Sequence, residues 1–177
     1  LLDLSHTGHR ATMEAMDLSD APVTFSHSNA KSLYDHPRNL ADDQILRCVE
    51  RDGVIGLNGH PAFIKAGTAA PSLDDYVAHV DTMVDKAGID HVGIGLDFSH
   101  PPGHQMPPSR YAKLIAQGVF TTGTLPPPPW HYPIGDARRI ADLTEALTRR
   151  GWREKDLRKL LGENFLRLFR AVWKPEN

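Results

Sequence analysis

Four short apolar runs, separated by segments of helical periodicity, constrain the fold more than any other feature of this sequence. The runs are LLDLSH (1–6), PVTFSH (22–27), VIGLNG (54–59) and HVGIGLDF (91–98). Strands that alternate with helices at such short spacing are joined by crossovers and therefore run parallel. Strands that are apolar along their length are typical of a parallel sheet with both faces covered. The pattern predicts an α/β fold.

The segments between and after these runs predict the covering helices. They are expected over the following ranges: 9–18, 39–53, 72–88, 136–151 and 153–173. Ser72 can cap the third helix with Asp75 as its partner, and Gly88 ends it. The segment from 99 to 134 carries most of the prolines and is predicted to be irregular. Helical spacing assigns these residues to buried faces: Ala11, Met13, Met16, Leu18, Leu40, Ile45, Leu46, Val49, Leu160, Leu161, Phe165, Leu168, Phe169 and Val172.

Composition excludes several classes of protein. A chain of 177 residues with 40% hydrophobic content predicts a single domain with a normal core. A formal net charge of −2 leaves no basic surface for nucleic acid or an anionic membrane. The single cysteine, Cys48, excludes an internal disulfide and a cysteine-based zinc cluster, and is expected in the core of a helix. No apolar run is long enough to span a membrane, and the compartment stays open.

The sequence begins inside the first apolar run and has no initiating methionine. Chains usually carry a few frayed residues before their first buried element. We therefore expect an N-terminal part to precede residue 1.

Polar residues stand where the predicted strands end, at His6, His27, Asn58 and Asp97. Functional residues of parallel sheets gather at the carboxyl ends of the strands. His6 and His27 would project from neighbouring strands into one space, which suits a divalent transition metal such as zinc. A strand-end histidine is also common as a hydrogen-bonded core residue. At this point both interpretations stay open.

Two further charged residues are candidates for chemistry. Asp97 could move a proton beside a metal, and it could equally cap a turn. Arg38 has the planar guanidinium that suits a carboxylate or an oxyanion, although an arginine before a helix is usually only solvated. Asn58 is a further candidate for substrate binding from its position at a strand end.

The remaining segments carry weaker signals. The other histidines are interpreted mostly as surface or structural residues. The glycines at 93 and 95 would let backbone or ligand approach closely. The proline-rich LPPPPWHYP (125–133) fits a loop over the mouth of a site better than an extended ligand for an aromatic groove.

Several short motifs follow one another along nearly the whole chain. DLSH, PVTFSHSNA followed by HPRNLADDQI, VIGLN, GIDHVGIGLDF and LLGENFLRLFRAVW resemble the C-terminal half of the membrane dipeptidase family, also called renal dipeptidases. The resemblance covers nearly the whole chain. It implies strands five to eight of a (β/α)8 TIM-type barrel of the amidohydrolase kind, with extra C-terminal helices. It also implies hydrolysis of dipeptides by a water that bridges two zinc ions.

The resemblance assigns roles to the strand-end residues. His6 and His27 match two histidine ligands of one zinc. Arg38 matches a residue that binds substrate, and Asp97 matches the residue that handles the proton and contacts substrate.

The chain departs from the family pattern in two respects. Ser99 and His100 stand where the family has an acidic residue and a glycine, which leaves substrate preference open. The family's HxD pair and its bridging glutamate have no counterpart, so the chain would carry about half of the metal site. An upstream part of the same polypeptide is the favoured source of the rest, before a separate chain or a second copy in a homodimer.

These observations lead to three hypotheses. The favoured one is a zinc-dependent dipeptidase in which the isolated chain is inactive without the missing half. The second is a related metal-dependent amide, lactam or lactone hydrolase. The third is a non-catalytic remnant or an interaction module that uses the proline-rich loop.

Overall fold

A three-stranded parallel sheet lies at the centre of the molecule. The computed structural model describes residues 1–67, 69–98, 106–117 and 131–173. The strands are β1 (Thr24–Phe25), β2 (Val54–Asn58) and β3 (Val92–Gly95), in the order β1-β2-β3. Ile55 pairs with Phe25 on one side and with Val92 on the other. The predicted parallel α/β arrangement is confirmed for these residues.

Helices follow the strands as expected from the sequence. They are α1 (His9–Leu18), α2 (Asp42–Glu50), α3 (Leu73–Ala87), α4 (Pro108–Ala116), α5 (Ile140–Arg149), α6 (Glu154–Arg158) and α7 (Asn164–Val172). The Ser72 hydroxyl accepts a hydrogen bond from the Asp75 amide at 3.1 Å, and the Asp75 carboxylate accepts one from the Ser72 amide at 2.7 Å. The predicted cap of α3 is therefore confirmed, as is its end at Gly88, whose φ is 78°.

The first apolar run is not a strand, contrary to prediction. It forms a single parallel bridge between Asp3 and Thr24, in which the Leu4 amide donates to Thr24 and the Thr24 amide donates to Leu2. The Asp3 carboxylate accepts a hydrogen bond from the Ser5 amide at 3.0 Å, and this bond turns the chain out of the extended conformation. Leu1 and Leu2 are about 40% exposed.

The segment from 99 to 134 is not wholly irregular. It contains α4, which begins at Pro108, a residue that fits the first turn of a helix. Residues 99–105 and 118–130 lie outside the described residues, and with them Ser99, His100 and most of LPPPPWHYP.

The core lies between the sheet and the helices, and it includes Phe25, Ile55, Tyr76 and Leu143. Cys48 is buried and free, as predicted. The helical faces were predicted less well, because these residues assigned to the core are exposed: Ala11, Leu18, Leu46 and Leu161. α1 and α2 meet instead at a buried polar pair, in which the Gln44 amide donates to the Thr12 hydroxyl at 2.6 Å.

The C-terminal helices close the end of the sheet at which β2 and β3 begin. The buried Asn164 amide donates to the carbonyls of Ile89 at 2.6 Å and Val92 at 2.7 Å. Arg167 forms an ion pair with Asp52 at 2.7 Å. α6 and α7 are joined through a π-helical turn, Lys159–Glu163. The predicted packing role of this region is confirmed, and these helices lie at the opposite end of the sheet from the strand-end residues His27 and Asp97.

The described residues include no helix that combines the length and the apolar character needed to cross a membrane.

Candidate metal centre and active site

The imidazole rings of His6 and His27 converge at the carboxyl end of the sheet. Their Nε2 atoms lie 2.8 Å apart, and their ring centroids lie 4.8 Å apart with the planes inclined at 62°. His27 follows β1, and His6 follows the segment that bridges to β1. The structure therefore brings together the two histidines that the sequence placed at neighbouring strand ends.

The pair fits one side of a transition-metal site. Two nitrogen ligands of a tetrahedral zinc ion are about 3.3 Å apart when each Zn–N bond is about 2 Å. The observed separation of 2.8 Å is shorter by about half an ångström, and a small rotation of the exposed His6 ring supplies that difference. Among residues 1–67, 69–98, 106–117 and 131–173, no group of three or more His, Cys, Asp or Glu side chains is arranged to hold a metal. The histidines thus supply only part of a ligand set, and their role as ligands stays a prediction.

The surroundings of His6 favour its unprotonated form. Partial burial lowers the pKa of His6, and the positive charges of Arg38 and His27 lower it further. Asp97 and Asp3 oppose this shift without reversing it. Because a metal binds the neutral imidazole, this environment is compatible with ligation.

Two glycines let the end of β1 pack directly against its neighbours. A Cβ atom on Gly56 would lie 2.1 Å from the Ser26 carbonyl oxygen, and one on Gly95 would lie 2.0 Å from the same oxygen. Gly93 similarly gives room to the Phe165 ring. The predicted close approach of backbone is confirmed at Gly95, where it fixes the backbone that carries His27. At Gly93 the close neighbour is a side chain instead of backbone or ligand.

Asp97 lies at the end of β3 and is exposed. Its φ of 55° and the φ of 65° at His6 both fall in the left-handed region. The Asn58 amide donates to the Asp97 carboxylate at 3.4 Å and to the His27 carbonyl at 3.4 Å. Asn58 therefore links the two strand ends that carry candidate catalytic groups.

Asn58 itself is only 1% exposed, and its polar atoms are used inside the protein. Its side-chain oxygen accepts a hydrogen bond from the His60 amide at 2.6 Å. Its backbone amide and carbonyl both bind the side chain of Asn29, each at 3.0 Å. The predicted contact between Asn58 and substrate stays a prediction, while the structure gives this residue a positioning role.

Arg38 is a cation without an ion-pair partner among the described residues. Its guanidinium donates weakly to the His27 carbonyl at 3.5 Å and lies 5.0 Å from the centre of the Phe63 ring. Burial lowers the pKa of Arg38, and the charge of Asp97 opposes that shift. A half-buried guanidinium placed this way is available to an incoming carboxylate.

A cleft of about 190 Å³ opens beside the histidine pair. Its lining includes His6, Arg38, Lys31 and Gln44. The cleft is large enough for a small polar ligand, and both a candidate metal ligand and the unpaired guanidinium face it.

The other described histidines have structural surroundings, as predicted. His60 is buried and stacks on Phe63 with ring centroids 4.9 Å apart, and burial lowers the pKa of His60 to about 4. His79 hydrogen-bonds the Ile64 carbonyl at 2.8 Å. Sequence reasoning missed the buried Asn29, because a lone asparagine after a strand carries no pattern that marks it as a support for a neighbouring strand.

A sequence model of a known family matches almost the whole chain. The model describes the membrane dipeptidases, peptidase family M19, and it covers residues 1–118 and 131–177. The chain belongs to the membrane dipeptidase family. The sequence resemblance to this family is thereby confirmed.

Two curated relatives of this chain carry the word dipeptidase in their names. An uncharacterized dipeptidase of Schizosaccharomyces pombe is 34% identical over 175 residues, which are 98% of this chain and 36% of the relative. Dipeptidase tcpJ of Claviceps purpurea is 28% identical and aligns with 97% of this chain and 34% of its own length.

Solved structures show the same fold. An amidohydrolase from Pseudomonas aeruginosa superposes with a TM-score of 0.83 at 31% identity, over 97% of this chain and 52% of that one. A metallopeptidase from Rhodobacter sphaeroides, solved with a phosphinate mimic of the dipeptide L-Ala-D-Ala, gives a TM-score of 0.72 at 30% identity. That alignment covers 98% of this chain and 42% of that one. This chain thus spans between about a third and a half of the relatives that it matches.

Proposed function

We propose that the protein containing this chain is a zinc-dependent dipeptidase. The observation that carries the proposal is the convergence of His6 and His27, whose Nε2 atoms lie 2.8 Å apart at the carboxyl end of a parallel sheet. Membership of the membrane dipeptidase family supports it. In this proposal the chain supplies strands five to eight of a (β/α)8 barrel, and the remaining strands and metal ligands come from a part outside it.

His6 and His27 would hold one zinc ion, with further ligands from outside this chain. When bound, the metal polarises the peptide carbonyl and lowers the pKa of a water molecule. His27 is partly buried and His6 lines the cleft, which supports this assignment because partial exclusion of solvent strengthens electrostatic interactions.

Arg38 would bind the carboxylate of the dipeptide. Its guanidinium faces the cleft and has no carboxylate partner among the described residues, so substrate would meet a cation whose donors are still available. Such charge-assisted hydrogen bonds are geometrically specific.

Asp97 would accept a proton from water and deliver it to the leaving amine. Its carboxylate is exposed at a strand end, and the hydrogen bond from Asn58 holds one oxygen in place. In this role the carboxylate would lie within hydrogen-bond reach of the water and of the leaving amine, as general acid and base catalysis requires.

The test is Asp97→Asn in the protein that contains this chain. We expect kcat for dipeptides to fall by about 10²–10⁴-fold, the usual contribution of a general acid or base, while zinc content stays the same. Asp85→Asn, at an exposed position on α3, is the matched control and should leave turnover unchanged. Full activity of Asp97→Asn would refute the assigned role.

A second candidate is a related amide, lactam or lactone hydrolase. It is favoured by Ser99 and His100, which differ from the acidic residue and glycine of the family pattern. A panel of dipeptides, lactams and lactones separates the two candidates. Turnover of cyclic substrates without turnover of any dipeptide would replace the first proposal by the second.

A further inference from the structure

We propose that Asp3 and Ser26 form a hydrogen-bond relay that sets the tautomer of His27 and aims its Nε2 atom at the metal. The relay consists of Asp3, Ser26 and His27. Its role toward a metal depends on the proposed function, whereas its effect on the His27 ring does not.

The relay is continuous and short. The His27 Nδ1 atom lies 2.7 Å from the Ser26 hydroxyl oxygen, and that hydroxyl donates to Asp3 Oδ2 at 2.6 Å. The other carboxylate oxygen, Asp3 Oδ1, accepts hydrogen bonds from the backbone amides of Ser5 and Ser26, both at 3.0 Å.

The direction of the relay follows from the number of protons. An ionised carboxylate can only accept, and Asp3 Oδ2 at 2.6 Å is a far closer acceptor than the Ser5 hydroxyl at 3.4 Å, so the single proton of the Ser26 hydroxyl points to Asp3. The hydroxyl oxygen is then left as an acceptor, and His27 must donate to it from Nδ1–H. In this tautomer the lone pair of His27 lies on Nε2, the atom that faces His6. Metal-binding histidines characteristically donate their other ring N–H to a neighbouring oxygen, which fixes the orientation of the ring.

The backbone around His27 is held as firmly as the ring. The His27 amide donates to the Ser5 hydroxyl at 3.0 Å. The Ser26 carbonyl packs against Gly56 and Gly95. The ring therefore cannot turn away without breaking its bond to Ser26.

A simpler interpretation is that Asp3 only stabilises a turn. The two carboxylate oxygens separate these roles, because Oδ1 binds the backbone amides and Oδ2 binds the Ser26 hydroxyl. The Ser5 hydroxyl also interacts with this carboxylate. Asp3→Asn with its oxygen in the Oδ1 position keeps the backbone bonds and places an NH2 donor against Ser26. The hydroxyl proton would then turn to His27 Nδ1, and the ring would carry its proton on Nε2.

The experiment measures the tautomer and the metal affinity separately. In the metal-free protein labelled with ¹⁵N-histidine, the signals of His27 are assigned from those lost in His27→Gln. We expect the His27 ring to be the Nδ1–H tautomer in the natural sequence, the Nε2–H tautomer in Asp3→Asn and a mixture of both tautomers in Ser26→Ala. Zinc affinity, measured by competition with a chelating dye, should fall by about 10–100-fold in Asp3→Asn and Ser26→Ala.

Two further variants act as controls. Ser26→Thr keeps the hydroxyl and should restore both the Nδ1–H tautomer and the zinc affinity. Ser5→Ala removes the bond to the His27 amide and should leave the tautomer unchanged. Ser26→Ala leaves Asp3 its backbone hydrogen bonds, so it tests the relay even if Asp3→Asn does not fold.

The outcomes distinguish this inference from the proposed function. An unchanged Nδ1–H tautomer in both Asp3→Asn and Ser26→Ala overturns the relay, whether or not the protein binds zinc. A second outcome is that the tautomer changes in the variants as expected, while the protein with the natural sequence binds no zinc. This outcome supports the relay and removes the metal site from the proposed function.

Discussion

Replacing Gly95 with alanine tests whether the packing of β1 against β3 determines the position of His27. The new Cβ would lie 2.0 Å from the Ser26 carbonyl oxygen and 3.1 Å from the His27 Cα. Both contacts are with backbone, which cannot swing aside as the end of a flexible side chain can. The strand end that carries His27 must therefore move as a unit.

The size of the effect follows from these distances. Contacts of a Cβ atom below 3.0 Å essentially do not occur, so the Ser26 carbonyl must move by about 1 Å. Overpacking of this kind costs about 1–3 kcal/mol, and backbone contact places Gly95→Ala at the upper end. In the longer protein that contains this chain, that cost lowers Tm by a few degrees. A displacement of about 1 Å at a catalytic constellation also reduces kcat/KM by about 100-fold.

Thermal unfolding and zinc titration measure the two effects in the protein that contains this chain. Gly88→Ala is the matched control, because its Cβ has no heavy atom within 4 Å and only the φ of 78° is unfavourable. It should cost about 1–3 kcal/mol of backbone strain, because φ 78° with ψ 151° is a conformation adopted almost only by glycine, and it should leave zinc affinity unchanged. If Gly95→Ala has the same Tm and the same zinc affinity as the protein with the natural sequence, the packing argument is wrong.

Two predictions concern stability away from the site. Asn164→Ala leaves the carbonyls of Ile89 and Val92 without their donor and should lower the free energy of unfolding by about 2–4 kcal/mol, measured with urea; an unchanged midpoint would contradict this. Because burial lowers the pKa of His60 from 6.5 to about 4, the unfolded state binds the proton first on acidification. The contribution of His60 to the free energy of unfolding should therefore be complete above pH 6.5 and fall by about 3 kcal/mol as the pH drops to about 4. Urea titrations at several pH values measure this dependence, and His60→Gln should make it smaller.

The parallel sheet could be predicted because short stretches of consecutive residues specify its strands and the helices between them. β2 and β3 are apolar throughout, and the segments between strands have clear helical periodicity and caps such as Ser72. The first run, LLDLSH, also contains three leucines, but the Asp3 carboxylate binds the amides of Ser5 and Ser26, which lie 2 and 23 positions away in the chain. Periodicity also could not show that α1 and α2 meet through Thr12 and Gln44, because a polar helix contact is visible only once both partners are placed.

The candidate site could likewise be predicted only in part. His6 and His27 could be placed together because carboxyl ends of neighbouring parallel elements always lie at one edge. The supports of that pair could not, since Ser26 next to a histidine and Asn29 after it are ordinary polar residues in sequence. Their roles depend on a carboxylate and a strand end that reach them only through the tertiary fold.

The left-handed backbone at His6 and Asp97 has an evolutionary consequence. A residue with a Cβ in this region carries roughly 1 kcal/mol of strain that glycine would relieve and asparagine would ease. Both positions would thus gain thermodynamic stability by losing the side chains that the proposed chemistry requires. Paralogues that have glycine or asparagine at both positions should therefore have lost hydrolytic activity while they keep the fold.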